Sequence, residues 1–275
     1  MTARYTAELN IARLAAMRAG EEVLKLYETL TPMAEAPADI STEADRRAQQ
    51  LILETLTRSF PGDAYCAEET EVGLAGLERQ GPRLWIIDPI DGTRGFVKKL
   101  GQFSIMIGLV EEGRPRVAVV LEPARRRLTY AIAGAGCWAA DGADPANREA
   151  LPCRVSSVAS WEQSRIVRSH SEKTCLSPRL RQVERLDYTY SAGIKMAMVA
   201  RGEAELYLST YAGFNSWDVC AGQLLVEEAG GRVTDAHGRE IRYADDGSGK
   251  IAGTIASNGL LHEAGRQCLA DFLGG

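Results

Sequence analysis

Two aspartates three positions apart, Asp88 and Asp91, end an apolar run and are followed directly by Gly92 and Thr93. Carboxylates this close repel each other unless a cation lies between them. Hard divalent cations prefer oxygen ligands, and proteins typically hold Mg²⁺ with a few carboxylates plus substrate phosphate. Because a glycine lets the backbone approach an anion closely, the spacing predicts a Mg²⁺-dependent phosphate site. The alternative is a polar turn after a strand, since Asp and Gly dominate turns for local reasons.

A buried strand is the element that must position these aspartates. Residues 83–87 are mostly apolar and include two β-branched residues, which is typical of such a strand. Pro89 cannot donate to a sheet ladder, so we expect the strand to stop at Asp88. The two carboxylates would then lie at the strand exit.

Two more acids, Glu68 and Asp218, lie at predicted element ends. Residues 64–67 form a plausible short strand that ends in Glu68. Ser216 can cap a helix over residues 217–229, which places Asp218 in its first turn. A carboxylate and an anion-favouring helix terminus there could both face a metal-bound phosphate. The alternative for Asp218 is an ordinary first-turn acid, which the helix dipole favours.

The rest of the chain alternates between helical and strand patterns. Two N-terminal helices are predicted, and the second has Asp45 in its first turn after the candidate caps Ser41 and Thr42. Three more helices are predicted: one that begins at Ser177-Pro178, one over residues 193–200 and one over residues 260–272. Strands are predicted over residues 103–110, 116–121, 127–132, 164–167, 205–208, 232–234 and 250–256. Because strands and helices interleave, the class is mixed α and β. A soft boundary near Leu151 divides residues 1–150 from residues 151–275.

Composition limits the classes of function. The chain has 275 residues, 45% of them hydrophobic and 25% charged, which suits a globular protein with an ample core. A net charge of −5 gives no support for binding to a nucleic-acid polymer. Six cysteines without a C-x-x-C pair predict reduced thiols in a cytoplasmic protein, and no apolar run suits a signal peptide or a membrane span. The three histidines are scattered, so a histidine-based zinc site is not expected.

Taken together, the motifs resemble the inositol monophosphatase superfamily of lithium-sensitive, Mg²⁺-dependent phosphatases. The resemblance rests on two separated segments in the right order, Trp85-Ile-Ile-Asp-Pro-Ile-Asp-Gly-Thr-Arg-Gly-Phe96 and Ser216-Trp-Asp-Val-Cys-Ala-Gly222. Glu227-Glu-Ala-Gly-Gly231, Glu68-Glu69 and Thr42-Glu-Ala-Asp45 also match. The resemblance implies an α+β fold, a layered αβαβα sandwich of the inositol monophosphatase/fructose-1,6-bisphosphatase type, and a monomer or homodimer.

The same resemblance implies a set of metal ligands. Glu68, Asp88 and the Ile90 carbonyl oxygen would bind one Mg²⁺, and Asp88, Asp91 and Asp218 would bind a second. A third ion, bound more weakly, would lie near Glu68 and Glu69. Glu68, Ile90, Asp91 and Asp218 would also border the substrate.

The resemblance further implies how water attacks the phosphate. Asp45 and Thr93 would orient and activate the attacking water, and the backbone N–H groups of Gly92 and Thr93 would hold phosphate oxygens. Two cations bridged by Asp88 would neutralise the phosphoryl and leaving oxygens and lower the pKa of a bound water. Thr93 alone is a poor base, but a hydrogen bond to Asp45 lets it relay a proton. We therefore expect in-line attack without a phosphoenzyme.

The metal motif does not separate substrates, but three other features favour a nucleotide. The sequence of residues 96–109 resembles the corresponding segment of the bacterial enzymes that cleave 3′-phosphoadenosine 5′-phosphate. Val167-Arg-Ser-His170 is similar to a segment of bisphosphate nucleotidases in which the histidine lies near the nucleotide. Inositol monophosphatases carry a glutamate seven residues before the last metal aspartate, and here Tyr211 takes that position and could stack on a base.

Each leaving-group residue has a plainer alternative. His170 could be a surface or capping histidine, and Tyr211 could simply pack in its loop. Gly193 and Lys195 are expected near the leaving group, where Lys195 could face a second phosphate. The alternative for Lys195 is an ordinary solvated helix lysine.

The sequence therefore predicts a Mg²⁺-dependent 3′(2′),5′-bisphosphate nucleotidase with two or three ions, which releases the 3′-phosphate and leaves AMP. The second interpretation is an inositol- or histidinol-phosphate phosphatase on the same fold. The third is a non-catalytic Mg²⁺- and nucleotide-binding regulator, which is disfavoured because every acid of the inferred site is present. The expected partner is a small phosphorylated metabolite, with no nucleic-acid polymer and no membrane.

Overall fold

The computed structural model describes residues 4–37, 40–70, 72–142, 144–145, 148–172, 178–183 and 185–273. Within these residues the chain forms two β-sheets and six α-helices. The helix predicted to begin at Ser177 falls partly outside the described residues, and Leu180–Gln182 forms a short 3₁₀ turn. Five of the six cysteines are described and are buried free thiols, whereas Cys175 lies outside the described part. No described helix is long and apolar enough to cross a bilayer.

The larger sheet has seven strands in chain order, and two long helices cover one of its faces. Its first two strands run parallel and all its other neighbouring strands run antiparallel. Helices α1 (Thr6–Thr29) and α2 (Glu43–Ser59) bury their apolar faces against this sheet. The strands are β1 (Ala64–Ala67), β2 (Arg83–Asp91), β3 (Ser104–Glu111), β4 (Arg114–Glu122), β5 (Arg127–Ile132), β6 (Gly136–Asp141) and β7 (Leu151–Pro152).

Strand β2 continues through Pro89 and ends at Asp91, so the prediction that it stops at Asp88 is wrong. The pairing of β2 with β3 shifts between Asp88 and Asp91, where Pro89 and Ile90 of β2 lie opposite Ile105 of β3 alone. This extra residue is a β-bulge, which leaves one residue outside the ladder and therefore tolerates a proline. Strand β1 pairs only as far as Ile87, so it does not need the missing N–H either.

The smaller sheet has five strands and mixed directions. Its order is β11-β12-β10-β8-β9, and its strands are β8 (Arg165–Arg168), β9 (Arg185–Tyr188), β10 (Leu206–Ser209), β11 (Arg232–Thr234) and β12 (Thr254–Ser257). Strands β8, β9 and β10 are parallel, and β12 is antiparallel to both of its neighbours.

Two helices, α4 (Ala192–Ala200) and α5 (Ser216–Glu228), form the layer between the sheets. One apolar cluster joins them to both sheets, because Met196 and Leu225 share it with Val120 of the larger sheet and Tyr207 of the smaller one. Helix α6 (His262–Leu273) covers the other face of the smaller sheet, where Leu269 belongs to a separate cluster. The layers therefore run αβαβα, which confirms the predicted fold class.

Sequence patterns miss strands β6, β7 and β9. The glycines at 134 and 136 suggest an end to the first half, yet Gly136 begins β6 and the Trp138 ring of that strand stacks on Tyr130 at 5.9 Å. Strand β7 begins at Leu151, the predicted boundary, and pairs with β6 in the larger sheet. The division into residues 1–150 and 151–275 stays a prediction.

Candidate active site

Three carboxylates converge where β2 ends and α5 begins. Asp88, Asp91 and Asp218 each offer an oxygen within 4.8 Å of the other two. The bulged end of β2 supplies Asp88 and Asp91, which are 1% and 6% exposed, and the first turn of α5 supplies Asp218. Two segments that are far apart in the sequence therefore share one cluster of oxygens.

Asp91 is fixed by the segment that begins α4. Its Oδ2 accepts hydrogen bonds from the Ser191 hydroxyl, from the Gly193 N–H at 2.7 Å and from Ser104 Oγ at 3.3 Å. A Cβ on Gly193 would lie 2.6 Å from Ser104 Oγ, so a side chain there would push this arrangement apart. Three donors on one oxygen fix the orientation of the carboxylate and leave its other oxygen for a cation.

Asp218 belongs to the N-terminal cap of α5. It accepts the Asn215 N–H at 2.6 Å, which makes Asn215 the cap residue, so the prediction of Ser216 as the cap is wrong by one position. Ser216 Oγ instead donates to the Gly247 carbonyl at 2.7 Å. Burial, together with the charge of Asp91, raises the pKa of Asp218 to about 7.

Glu68 follows β1 and completes the acidic group, because its carboxyl shares a hydrogen bond with that of Asp88. Burial raises the pKa of Glu68 to about 8, and the charges of Asp218 and Asp45 add to the effect. Burial and the neighbouring acids also hold the pKa of Asp88 well above its usual range. Such a group of buried acids is unfavourable unless protons or cations neutralise it.

The donor set of this group fits a divalent cation. Asp88 Oδ1 is buried and has no hydrogen-bond partner within the described residues. Leaving a buried acceptor unpaired costs free energy, and coordination would remove that cost. A cluster made only of oxygen donors suits hard ions such as Mg²⁺, Mn²⁺ or Ca²⁺ rather than thiolate- or imidazole-binding metals.

Thr93 and Asp45 are joined by a hydrogen bond between two distant elements. Thr93 Oγ1 lies 3.1 Å from Asp45 Oδ1 and 3.0 Å from the Ile90 carbonyl oxygen. The other oxygen of Asp45 accepts the Thr42 N–H at 2.8 Å and the Thr42 hydroxyl at 2.5 Å, which forms the capping box of α2. Burial raises the pKa of Asp45 to about 6. The predicted pair is therefore within hydrogen-bond reach.

Gly92 is required by its surroundings. Its φ of 88° lies in the left-handed region. A Cβ there would lie 2.7 Å from the Gln102 carbonyl and 3.0 Å from the Ser191 nitrogen. The short helix α3 (Thr93–Val97) begins directly after it. The binding of phosphate oxygens by the Gly92 and Thr93 N–H groups stays a prediction.

An aromatic platform, which consists of His170, Tyr188 and Tyr190, borders this turn. The His170 and Tyr190 rings stack with centroids 4.5 Å apart, and the Tyr188 ring lies 6.2 Å from that of His170. His170 Nε2 lies 2.9 Å from Gln102 Oε1. Because the backbone of Gln102 lies against Gly92, the platform is adjacent to the predicted phosphate position.

Lys195 and Tyr211 lie in contrasting surroundings. Lys195 is 1% exposed, and its Nζ donates to the Thr189 and Tyr190 carbonyls, both at 3.0 Å, so it is not a solvated helix lysine. Burial lowers the pKa of Lys195 to about 8. Tyr211 is 59% exposed and packs edge-on against Phe214 with centroids 5.1 Å apart.

Sequence reasoning misses the residues that hold the site in place. Ser104 and Ser191 orient Asp91, Gln102 binds His170, and Tyr190 stacks on it. The one available signal is Ser191 before an apolar helical run, a pattern typical of an N-cap, and in the structure its hydroxyl accepts the Ile194 N–H at 2.9 Å. The capping role alone explains that serine, so nothing in the pattern points to Asp91.

Comparison with known proteins places the chain in one family. It matches the model of the inositol monophosphatase family over residues 5–269. It is 33% identical over 265 residues to a Nus factor SuhB of Xylella fastidiosa, covering 95% of this chain and 94% of that protein. It is 35% identical over 230 residues to a fructose-1,6-bisphosphatase/inositol-1-monophosphatase of Thermotoga maritima, covering 82% and 80%. It is also 30% identical over 267 residues to a histidinol-phosphatase of Mycobacterium tuberculosis, covering 93% and 95%.

A solved structure supports the same family assignment. The IMPase of Thermotoga maritima matches this fold with a TM-score of 0.81 over 98% of this chain and 99% of that chain, at 30% sequence identity. The family match covers both the β2 aspartates and the α5 aspartate that converge in the structure. The chain therefore belongs to the inositol monophosphatase family of metal-dependent phosphatases.

Proposed function

We propose that the protein is a Mg²⁺-dependent 3′(2′),5′-bisphosphate nucleotidase that converts 3′-phosphoadenosine 5′-phosphate to AMP and phosphate. The observation that carries this substrate is the aromatic platform, where His170 stacks on Tyr190 beside Gly92. Stacking on an aromatic side chain stabilises a bound nucleobase by about 1–3 kcal/mol. A polyol such as inositol has no flat face to stack and depends on hydrogen-bonding groups instead.

In this proposal the acids hold two or three cations. Glu68, Asp88 and the Ile90 carbonyl would hold one cation, and Asp88, Asp91 and Asp218 would hold a second. The convergence of the three aspartates and the unpaired Asp88 Oδ1 support this assignment. When bound, Mg²⁺ supplies positive charge for the phosphoryl and leaving oxygens and lowers the pKa of the attacking water.

The remaining chemistry belongs to side chains and backbone of this chain. The Thr93 hydroxyl directs its proton to Asp45 or to the Ile90 carbonyl, so its oxygen is free to accept a hydrogen bond from the attacking water. Asp45, with its pKa raised to about 6, is suited to take up the proton that Thr93 relays. The N–H groups of Gly92 and Thr93 hold the phosphate oxygens while the bond to the leaving group breaks.

A second candidate is a phosphatase of inositol 1-phosphate or histidinol phosphate. It is favoured by the names of two relatives, the bifunctional Thermotoga phosphatase and the mycobacterial histidinol-phosphatase. Against the inositol substrate, Tyr211 replaces the glutamate that the resemblance places there, and it offers one hydroxyl in place of a carboxylate. An imidazole could stack on the platform as a purine does, so histidinol phosphate must be included in any test.

Phosphate release from three substrates separates these candidates. The wild-type chain, with Mg²⁺, is compared on 3′-phosphoadenosine 5′-phosphate, inositol 1-phosphate and histidinol phosphate by kcat/KM. The proposal expects the nucleotide to be preferred at least tenfold, and a preference for either other substrate would overturn it. No release from any substrate, together with retained nucleotide binding, would favour the non-catalytic regulator.

A further inference from the structure

Arg94 directly follows Thr93, and no acid of the described residues pairs with it. It is half-buried in α3, and its guanidinium carbon lies over the Tyr190 ring at 5.4 Å from the centroid. Its Nε is buried and has no hydrogen-bond partner within the described residues. Arg83 and Arg201, in contrast, bind acids: Arg83 binds Asp63 at 2.9 Å, and Arg201 binds Glu122 at 2.9 Å.

The position of Arg94 ties it to both parts of the substrate site. Its neighbour Thr93 carries the hydroxyl that contacts Asp45, and the ring below it, Tyr190, is the one on which His170 stacks. A guanidinium stacked on a tyrosine keeps its N–H edges available in the ring plane, because the cation–π contact uses only its face. Arg94 therefore presents donors at the junction between the predicted phosphate position and the aromatic platform.

An arginine with unused donors beside a phosphate site suits a second phosphate. Guanidinium binds phosphate through two parallel hydrogen bonds, and such charge-assisted pairs are stronger than neutral ones. Nε lies inside the fold, so an anion would be bound by the two terminal nitrogens of Arg94, which make no hydrogen bond or ion pair to the described residues. The described residues give this guanidinium the ring of Tyr190 and no acid, so its charge is left for solvent or for a bound anion.

We propose that Arg94 binds the phosphate of the substrate that is not cleaved, which in a 3′,5′-bisphosphate is the 5′-phosphate. This inference rests on the proposed nucleotidase function and makes Arg94 a determinant of specificity for bisphosphates over monophosphates. Lys195, the other candidate for a second phosphate, is 1% exposed and already donates to two backbone carbonyls. Arg94 is therefore the better placed of the two cations.

Deleting the same phosphate from the substrate and the guanidinium from the protein tests the pairing. We compare 3′-phosphoadenosine 5′-phosphate with adenosine 3′-phosphate on the wild type, Arg94→Ala and Arg94→Lys, using the ratio of kcat/KM values for the two substrates. A charge-assisted hydrogen-bond pair predicts that Arg94→Ala lowers this ratio by about 10- to 100-fold. Arg94→Lys keeps the charge without the fork and should give an intermediate ratio.

A matched control removes the same charge from a distant turn. Arg126 is exposed in the turn between β4 and β5, and Arg126→Ala should leave the substrate ratio as in the wild type. Inhibition by 5′-AMP gives a second readout, because this product retains the 5′-phosphate; its inhibition constant should rise in Arg94→Ala by a similar factor. A purely structural role for Arg94 would lower activity on both substrates equally.

Failure of the inference and failure of the proposed function give different results. If the wild type hydrolyses the bisphosphate but Arg94→Ala leaves the ratio unchanged, or lowers both kcat/KM values in parallel, the role of Arg94 is refuted alone. If the wild type hydrolyses neither nucleotide, the nucleotidase proposal is refuted and this inference falls with it. Folding of each variant is checked by its melting temperature, and the Arg94→Lys result decides the case if Arg94→Ala does not fold.

Discussion

The acidic side and the aromatic side of the active site are held in different ways. On the acidic side, Asp88 and Asp91 are almost fully buried at a bulge of β2, and short hydrogen bonds fix the carboxylate of Asp91. On the aromatic side, His170 and Tyr190 are half-buried and held by stacking, and Arg94 Nε finds no hydrogen-bond partner among the residues that the structure describes.

This difference separates two tasks. The acidic side is assembled before any substrate arrives, and burial, together with the neighbouring acids, raises the pKa of Glu68, Asp88 and Asp218, so that bound protons or cations stabilise them. The aromatic side keeps flat faces and donors for a ligand to use. Mutations on the first side should therefore change catalysis and metal binding, whereas mutations on the second should change which phosphate ester is bound.

The largest expected effect follows from Asp88→Asn. Removing the carboxylate shared by both proposed cations should lower kcat by about 10³-fold, since charge stabilisation at the phosphoryl group supplies several kcal/mol. The measurement is steady-state phosphate release with saturating Mg²⁺. Asp141→Asn, an exposed aspartate that binds Arg127, is the matched control and should keep wild-type activity. A similar loss in both variants would remove the distinction between the two sides.

The next effect concerns the proton relay. Thr93→Ala should lower kcat by about 10²-fold, because general acid–base groups typically contribute at least that much. Thr93→Ser keeps the hydroxyl that contacts Asp45 and should retain most of the activity. Equal losses in the two variants would show that the methyl group matters and the relay does not.

The aromatic side should respond in binding more than in turnover. Tyr190→Ala should raise KM for the nucleotide about tenfold, since it removes the ring on which His170 stacks and so disrupts the aromatic platform; one stacking contact contributes roughly 1–3 kcal/mol. The backbone carbonyl that holds Lys195 remains in that variant. Tyr211→Ala is the comparison, because this ring is 59% exposed and packs on Phe214; its effect on KM should be below about twofold. A larger rise in KM for Tyr211→Ala would indicate that the base of the nucleotide stacks on Tyr211 instead of on the aromatic platform.

The smallest effect is on stability in the absence of metal. Burial raises the pKa of Asp45 to about 6, of Asp218 to about 7 and of Glu68 to about 8. A folded-state pKa above the unfolded value gives stability that is complete at low pH and is lost as pH rises through the folded values. With a chelator, the melting temperature should therefore fall by several degrees between pH 5 and pH 8. Saturating Mg²⁺ should abolish that fall, and a pH-independent melting temperature in chelator would contradict the acidic cluster.

The parts of the fold that depend on residues close together in the sequence could be predicted from the sequence. The capping box of α2 and the apolar stripe behind it are local, and the structure has both. The course of β2 was not predictable, because the bulge that admits Pro89 depends on its pairing with β3. Asn215 rather than Ser216 caps α5 for a similar reason, since Ser216 is held by the distant Gly247 carbonyl.

The same contrast applies to the active site, where some residues could be predicted from motifs and others could not. The acids could be named from two motifs, whereas Ser104 and Ser191, which orient Asp91, act through contacts that no spacing reveals. The burial of Lys195 is likewise set by packing between the sheets. Lithium inhibition, a cytoplasmic location and the choice between monomer and homodimer remain predictions.

The central claim is that Asp88, Asp91 and Asp218 bind divalent cations together. A crystal soaked in Mn²⁺, with diffraction data collected at the manganese absorption edge, tests it directly, because anomalous peaks locate the metal without reference to activity. We predict at least one strong peak within coordinating distance of all three carboxylates and a second shared by Asp88 and Glu68. An absence of peaks at this cluster, with Mn²⁺ bound elsewhere or not at all, would contradict the account.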